Sequence, residues 1–114
     1  MRKVSVEETK PYEAPKHFKM VALRLHHKET TGSKKFWVGL SHFLPGGGAD
    51  WDKSNSEKVY FVLSGRITVK SKTGETVTLG PMDSLYIPPG ESRYIINETN
   101  MPATMLVIAS YEEE

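Results

Sequence analysis

With 114 residues the chain suits one domain around one core, because two halves would each be too small to stand unaided. It has no cysteine, which excludes disulfides and thiolate zinc sites and suits a reducing compartment. Fifteen Lys+Arg against fourteen Asp+Glu leave a formal charge of +1, too even a balance for a nucleic-acid stripe, and no segment is apolar for long enough to span a membrane.

The start, "MRKVSVEETKPYEAP", has no apolar stretch of the kind a secretory leader needs, so a cytoplasmic location is the expectation. Residues 1–18 read as an N-terminal arm carrying Pro11 and Pro15, and residues 19–114 as the folded body. "KMVALRLHHK" alternates, with Val21, Leu23, Leu25 and His27 on one side. "KFWVGLSHFL" is apolar on both faces and suits a strand inside a sandwich, and the "PGGG" at 45–48 is expected to end it. "KVYFVL" runs to Ser64-Gly65, "RITVKSK" turns at "TGE" into "TVTL", and "GPMD" leads to "SLYI". "PPG" stops that run, and "RYIIN" and "ATMLVIASY" follow. Eight or nine short strands, Gly/Pro turns and no amphipathic helix predict an all-β sandwich or small barrel. "YEEE" reads as a short solvated terminus.

The segments "EKVYFVLSGRITV", "LGPMDSLYIPPGESRYIIN" and "PATMLVIA" resemble the small single-domain cupins. The first motif of that family reads G-x5-H-x-H-x3–4-E-x6-G and the second G-x5-P-x-G-x2-H-x3-N. Gly65 takes the closing glycine of the first, Pro88-Pro89-Gly90 fits P-x-G, and Asn97 fits the final Asn. Asp83 matches the Asp that often follows the second motif's leading glycine, and Met82 replaces that glycine. The resemblance covers roughly residues 36–110 and implies a cupin-type jelly-roll barrel, commonly paired into homodimers.

The metal ligands of the motif do not carry over. Counting back from Gly65 puts Lys58 at the glutamate position. The longer spacing puts Trp51 and Lys53 at the two histidine positions; the shorter puts Asp52 and Ser54 there. Counting forward from Gly90 puts Arg93 at the last histidine position. A first-row metal needs lone-pair donors, and protonated Lys and Arg have none to give. A metal-free pocket is therefore the first expectation. Two alternatives retain a divalent metal, one at Asp52, His27 and His42, the other at Asp50, Asp52 and Glu57 after a one-residue slip.

If the cations point inward, a guest of opposite sign is expected, because unpaired buried charge is costly. Arg93, Lys58 and Lys53 would hold the carboxylate of a small organic acid, and Trp51 and Tyr60 would flank its apolar part. His42, in phase with Val38, Leu40 and Leu44, is the acid/base candidate should chemistry occur. Each has a plainer reading: Lys53 in a polar loop, Lys58 turned out towards Glu57, Arg93 closing the barrel mouth, Trp51 and Tyr60 as packing. His27 and His42 could be hydrogen-bonded core residues, and His17 in the arm carries no signal. The alternative function is a metal-dependent dioxygenase, decarboxylase or isomerase.

Overall fold

The computed structural model describes residues 1–112, so Glu113 and Glu114 of the acidic terminus lie outside the described residues. A short 3-10 turn at Val6–Glu8 precedes nine strands. They are β1 (Pro11–Tyr12), β2 (His17–His26), β3 (Phe36–Asp52), β4 (Lys58–Ser64), β5 (Ile67–Ser71), β6 (Thr76–Leu79), β7 (Ser84–Ile87), β8 (Arg93–Ile96) and β9 (Ala103–Ser110). Hydrogen-bonded neighbours follow the order β6-β5-β8-β3-β9-β4-β7, with β2 on β3 and β1 on β2. The sheet curls into a nearly closed jelly-roll barrel, and every pairing is antiparallel.

β3 holds the two halves together. Its first part pairs with β9 from Phe36↔Ser110 to Phe43↔Ala103, and its last part pairs with β8 from Gly48↔Ile96 to Asp52↔Arg93. The Pro-Gly-Gly-Gly run was expected to end this strand; it bends it instead. Gly46 takes φ +80°, and a Cβ on Gly47 or Gly48 would collide with the carbonyl of Lys19 or of Ile95. Glycine lets neighbouring backbones close over the bend, so hydrogen bonding continues through it.

Alternation along the strands then separates two faces. Phe43, Val62, Ile67, Ile95 and Met105 are almost completely buried and fill the barrel. Asn97, also fully buried, ties the next turn down: its Nδ2 donates to the carbonyls of Phe43, Leu44 and Met101, and its Oδ1 accepts from the backbone N–H of Thr99.

Candidate functional site

A cavity of about 350 Å³ opens at one end of the barrel. Its floor is Phe43, Ile95, Met105 and Val107, a continuation of the core. Its wall carries the polar groups Asp52, Ser54, Lys58, Tyr60 and Arg93. β1 and the start of β2 close it from the arm side, with Tyr12, Pro15 and His17. Trp37, His27 and Arg24 add an aromatic and basic stretch to the lining. The His27 ring stands edge-on to Trp37 at 6.3 Å, and the Arg24 guanidinium lies over the Tyr12 ring at 4.1 Å.

Asp52, Ser54, Lys58 and Arg93 are the four positions that the shorter motif spacing marks. That spacing is the one realised, because Asp52, on the inward face at the end of β3, pairs in register with Arg93 of β8. The other spacing is not. Trp51 faces away from the cavity, with Tyr94 at 5.6 Å and the Lys72 ammonium 4.5 Å above its ring. Lys53 is exposed in the loop after β3, where only its backbone N–H is engaged, by Asp52 Oδ1. Strand period 2 explains both placements, since neighbours of inward Asp52 must point elsewhere.

Arg93 is the most constrained of these groups. It is 6% exposed, donates from Nε to the Tyr60 hydroxyl at 3.1 Å and from Nη1 to the Asp50 carbonyl at 2.8 Å. No carboxylate of the described residues comes within ion-pair distance of it; the ion pairs present are Lys16–Asp52 and Arg24–Glu29. Two of its five N–H groups are used, and the rest are uncommitted. Burial pushes the Tyr60 phenol up, so Tyr60 keeps its proton while accepting from Arg93. Burial and the neighbouring Arg93 charge hold the Lys58 ammonium below its ordinary value. Burial opposes ionisation of Asp52, but the Lys53 N–H and the charges of Lys16 and Arg93 outweigh it and hold the carboxyl low.

His42 does not join this group. Ser41 and Phe43 of β3 line the cavity, so His42 lies on the opposite face, where its Nδ1 bonds the Thr104 hydroxyl at 2.9 Å. The expected phase of β2 also changes. A register shift between Arg24 and His26 separates His27 from Val21, Leu23 and Leu25, and His27 reaches the cavity while Val21 is exposed.

The two ligand sets considered for a divalent metal are not brought together. Asp52 and His27 line the cavity, but His42 is on the other side of the sheet. Asp50 is exposed, its Oδ1 accepting from the Trp51 N–H, and Glu57 is exposed and accepts from the Tyr86 hydroxyl. Neither proposed triad converges, and among the described residues no three His, Cys, Asp or Glu side chains gather in ligand geometry. Of the four motif positions, Lys58 and Arg93 are cationic and Asp52 is the one carboxylate.

One residue that sequence reasoning passed over belongs to the site. His17 begins β2 opposite Ala49 and lines the cavity beside Asp52, Lys58 and Arg93. The only signal for it in the sequence was its position two residues after Pro15.

Comparison with known proteins agrees with this architecture. The family model described as cupin domain matches residues 39–109. A protein of Mycobacterium tuberculosis named beta-D-galactosidase Rv1717 is 37% identical over 111 residues, covering 97% of this chain and 95% of its own. The polyketide cyclase RemF of Streptomyces resistomycificus superposes with a TM-score of 0.85 at 21% identity, over 96% of this chain and 79% of its own. A cupin-superfamily sugar phosphate isomerase of Silicibacter pomeroyi gives 0.79 at 20% identity, over 96% and 76%.

Proposed function

Because the chain belongs to the cupin family, we propose that its barrel binds a small organic acid, oxo- or hydroxy-substituted, without a metal. The observation that carries this reading is Arg93, a buried cation with uncommitted donors and no carboxylate within ion-pair distance among the described residues, Asp52 across the ladder being engaged by Lys16 instead. A buried charge without a counter-charge costs several kcal/mol, on the order of the binding energy of a small ligand. A carboxylate matches the fork of the guanidinium, and Lys58 stands beside it. The hydroxyls of Ser41, Ser54 and Ser56 and the Trp37 ring suit the oxo- or hydroxy-substituted remainder. Calorimetric titration of gluconate, galacturonate and 2-oxoglutarate, each against its neutral amide or ester, tests it. Binding of an acid but not its neutral form is expected; equal binding of both, or none of either, overturns it.

A second reading is favoured by the 37% identity to the mycobacterial protein named beta-D-galactosidase. Glycoside hydrolysis ordinarily needs two carboxyl groups, and Asp52 and Glu112 both line the cavity. Release of nitrophenol from a nitrophenyl β-galactoside, lost in Asp52→Asn, supports this reading; no release by the wild type removes it.

We further infer a homodimer. Phe36, Leu44 and Leu63 are 51, 56 and 44% exposed. They share the outward face of β9, β4 and the Phe36–Leu44 part of β3 with Phe61, Leu106 and Ile108, and among the described residues no Lys, Arg, Asp or Glu of these segments stands on that face. A self-complementary interface brings one patch against itself, which an uncharged face permits without like-charge contact. Light scattering should give twice the chain mass, and Leu106→Arg should halve it; a wild-type monomer refutes the dimer.

A further inference from the structure

We propose that His17 is the proton-transfer group of the cavity, acting as a general base on the carbon next to a carbonyl of the bound acid. The inference rests on the acid-binding reading above and adds a reaction class to it.

The geometry of the imidazole comes first. His17 Nδ1 lies 2.8 Å from the Pro15 carbonyl oxygen. A carbonyl can only accept, so Nδ1 carries the hydrogen and the lone pair sits on Nε2. Nε2 has no hydrogen-bond partner among the described residues. The base is thus held in a single tautomer, with its free nitrogen on the ring edge opposite the arm.

The backbone around it is the second observation. Lys16 and Lys19 take φ +63° and +48°, two of the three non-glycine residues with positive φ. Side chains disfavour that region, and it persists where surrounding structure imposes it. Here it is imposed on both sides of one histidine. The Lys16 carbonyl accepts from Asp50 N–H at 2.9 Å, and β2 resumes with His17 opposite Ala49. The outcome of this distortion is that an arm residue reaches a barrel cavity.

The charges facing the ring are Arg93 from β8, Lys58 from β4 and Asp52 from β3. Burial and the two cations hold the imidazolium below its ordinary value, so the ring is neutral and basic near neutral pH. Asp52 opposes them, and its own carboxylate is engaged by Lys16 at 3.5 Å.

A 2-oxo acid uses all of these groups. Its carboxylate takes the Arg93 fork, and its 2-oxo oxygen lies on the adjacent carbon, within reach of Lys58 and the Tyr60 hydroxyl. The C3–H bond breaks, its proton passes to His17 Nε2, and the bond's electron pair becomes the C2=C3 double bond. The carbonyl electrons move to O2, where the cations and the phenol stabilise the negative charge. Return of a proton from Nε2 to C3 completes the cycle with no net redox change.

Hydrogen exchange at carbon reads this step directly. The probe is 2-oxoglutarate in D2O, with loss of the C3 proton signal followed by proton NMR against calorimetric binding of the same acid. Wild-type protein is expected to accelerate exchange over buffer. His17→Gln should lower that acceleration at least 100-fold while changing the Kd less than about threefold. Binding without accelerated exchange in the wild type overturns the proposal, as does full exchange by His17→Gln. Failure of all three acids to bind the wild type removes this inference through the acid-binding reading, whereas binding of gluconate or galacturonate without 2-oxoglutarate overturns the 2-oxo acid chemistry assigned to His17. His17→Ala, which also loses the bond to Pro15, should behave like His17→Gln, and unequal loss in the two overturns the assignment to the base.

Discussion

Replacing Arg93 by Met removes the charge and keeps most of the volume. For ligand binding, a charge-assisted hydrogen bond to a carboxylate contributes roughly 1.5–3 kcal/mol, and a buried two-pronged contact lies at the upper end. A loss of about 3 kcal/mol corresponds to roughly 150-fold weaker binding. For the fold, two bonds disappear, those to the Tyr60 hydroxyl and the Asp50 carbonyl. That loss, about 3 kcal/mol, is offset in large part by relief of a buried cation whose nearest carboxylate, Asp52, stays beyond ion-pair distance. Arg93→Met should therefore melt within a few degrees of the wild type while losing its affinity for carboxylates. Arg93→Lys keeps a charge but not the fork, and should fall between, about tenfold weaker. Calorimetry with the tightest acid, alongside thermal unfolding, measures both. A folded Arg93→Met protein with wild-type affinity would mean that the guanidinium is structural and the cavity's sign preference comes from elsewhere.

Stability should decline as pH falls below about 6.5, because the unfolded chain protonates at the position of His17 before the folded chain does. The decline continues until the folded imidazole is protonated too, and His17→Gln should make that part of the urea-midpoint profile shallower, with His27, also held low by burial, supplying what remains. Trp51→Ala should leave acid affinity unchanged and cost only about 1 kcal/mol, since it removes a tilted ring contact and a cation–π contact on the outside of the barrel; a large affinity loss in calorimetry contradicts the placement. Asn97→Ala should be among the most destabilising single changes, about 3 kcal/mol by chemical denaturation, because it empties a fully buried side-chain position and leaves the buried Phe43 carbonyl and the part-buried Leu44 and Met101 carbonyls without their donor. A Lys58→Met protein should bind acids more weakly than wild type and unfold no more easily, as the half-buried ammonium has no ion-pair partner among the described residues.

The sequence carried the barrel and the cationic character of its pocket. Turn residues punctuate almost every strand, and Lys58, Tyr60 and Arg93 sit on strands whose alternation is regular. The remaining site was hidden for particular reasons. A gap of three or four residues in the motif decides between Asp52 with Ser54 and Trp51 with Lys53, and one residue inverts which side chains face in. His42 lies on a strand apolar on both faces, so periodicity could not tell its inner side from its outer. His27 needed the bulge after Arg24, which leaves no mark in composition. His17 sits among polar arm residues and reaches the cavity only through two left-handed backbone positions. Glycines that end strands elsewhere carry β3 around a bend, because here close backbone approach, not termination, is what they provide.

That bend also sets how the chain tolerates changes in length. Asp52 lies on the same strand as the bend, only a few residues beyond it. One residue inserted or deleted between the bend and Asp52 would exchange inside for outside along the rest of the strand, presenting Trp51 to the cavity and Asp52 to solvent. Insertions between the 3-10 turn at Val6–Glu8 and β1 should be harmless, whereas a single-residue indel here would rewrite the chemistry of the cavity while leaving a recognisable barrel.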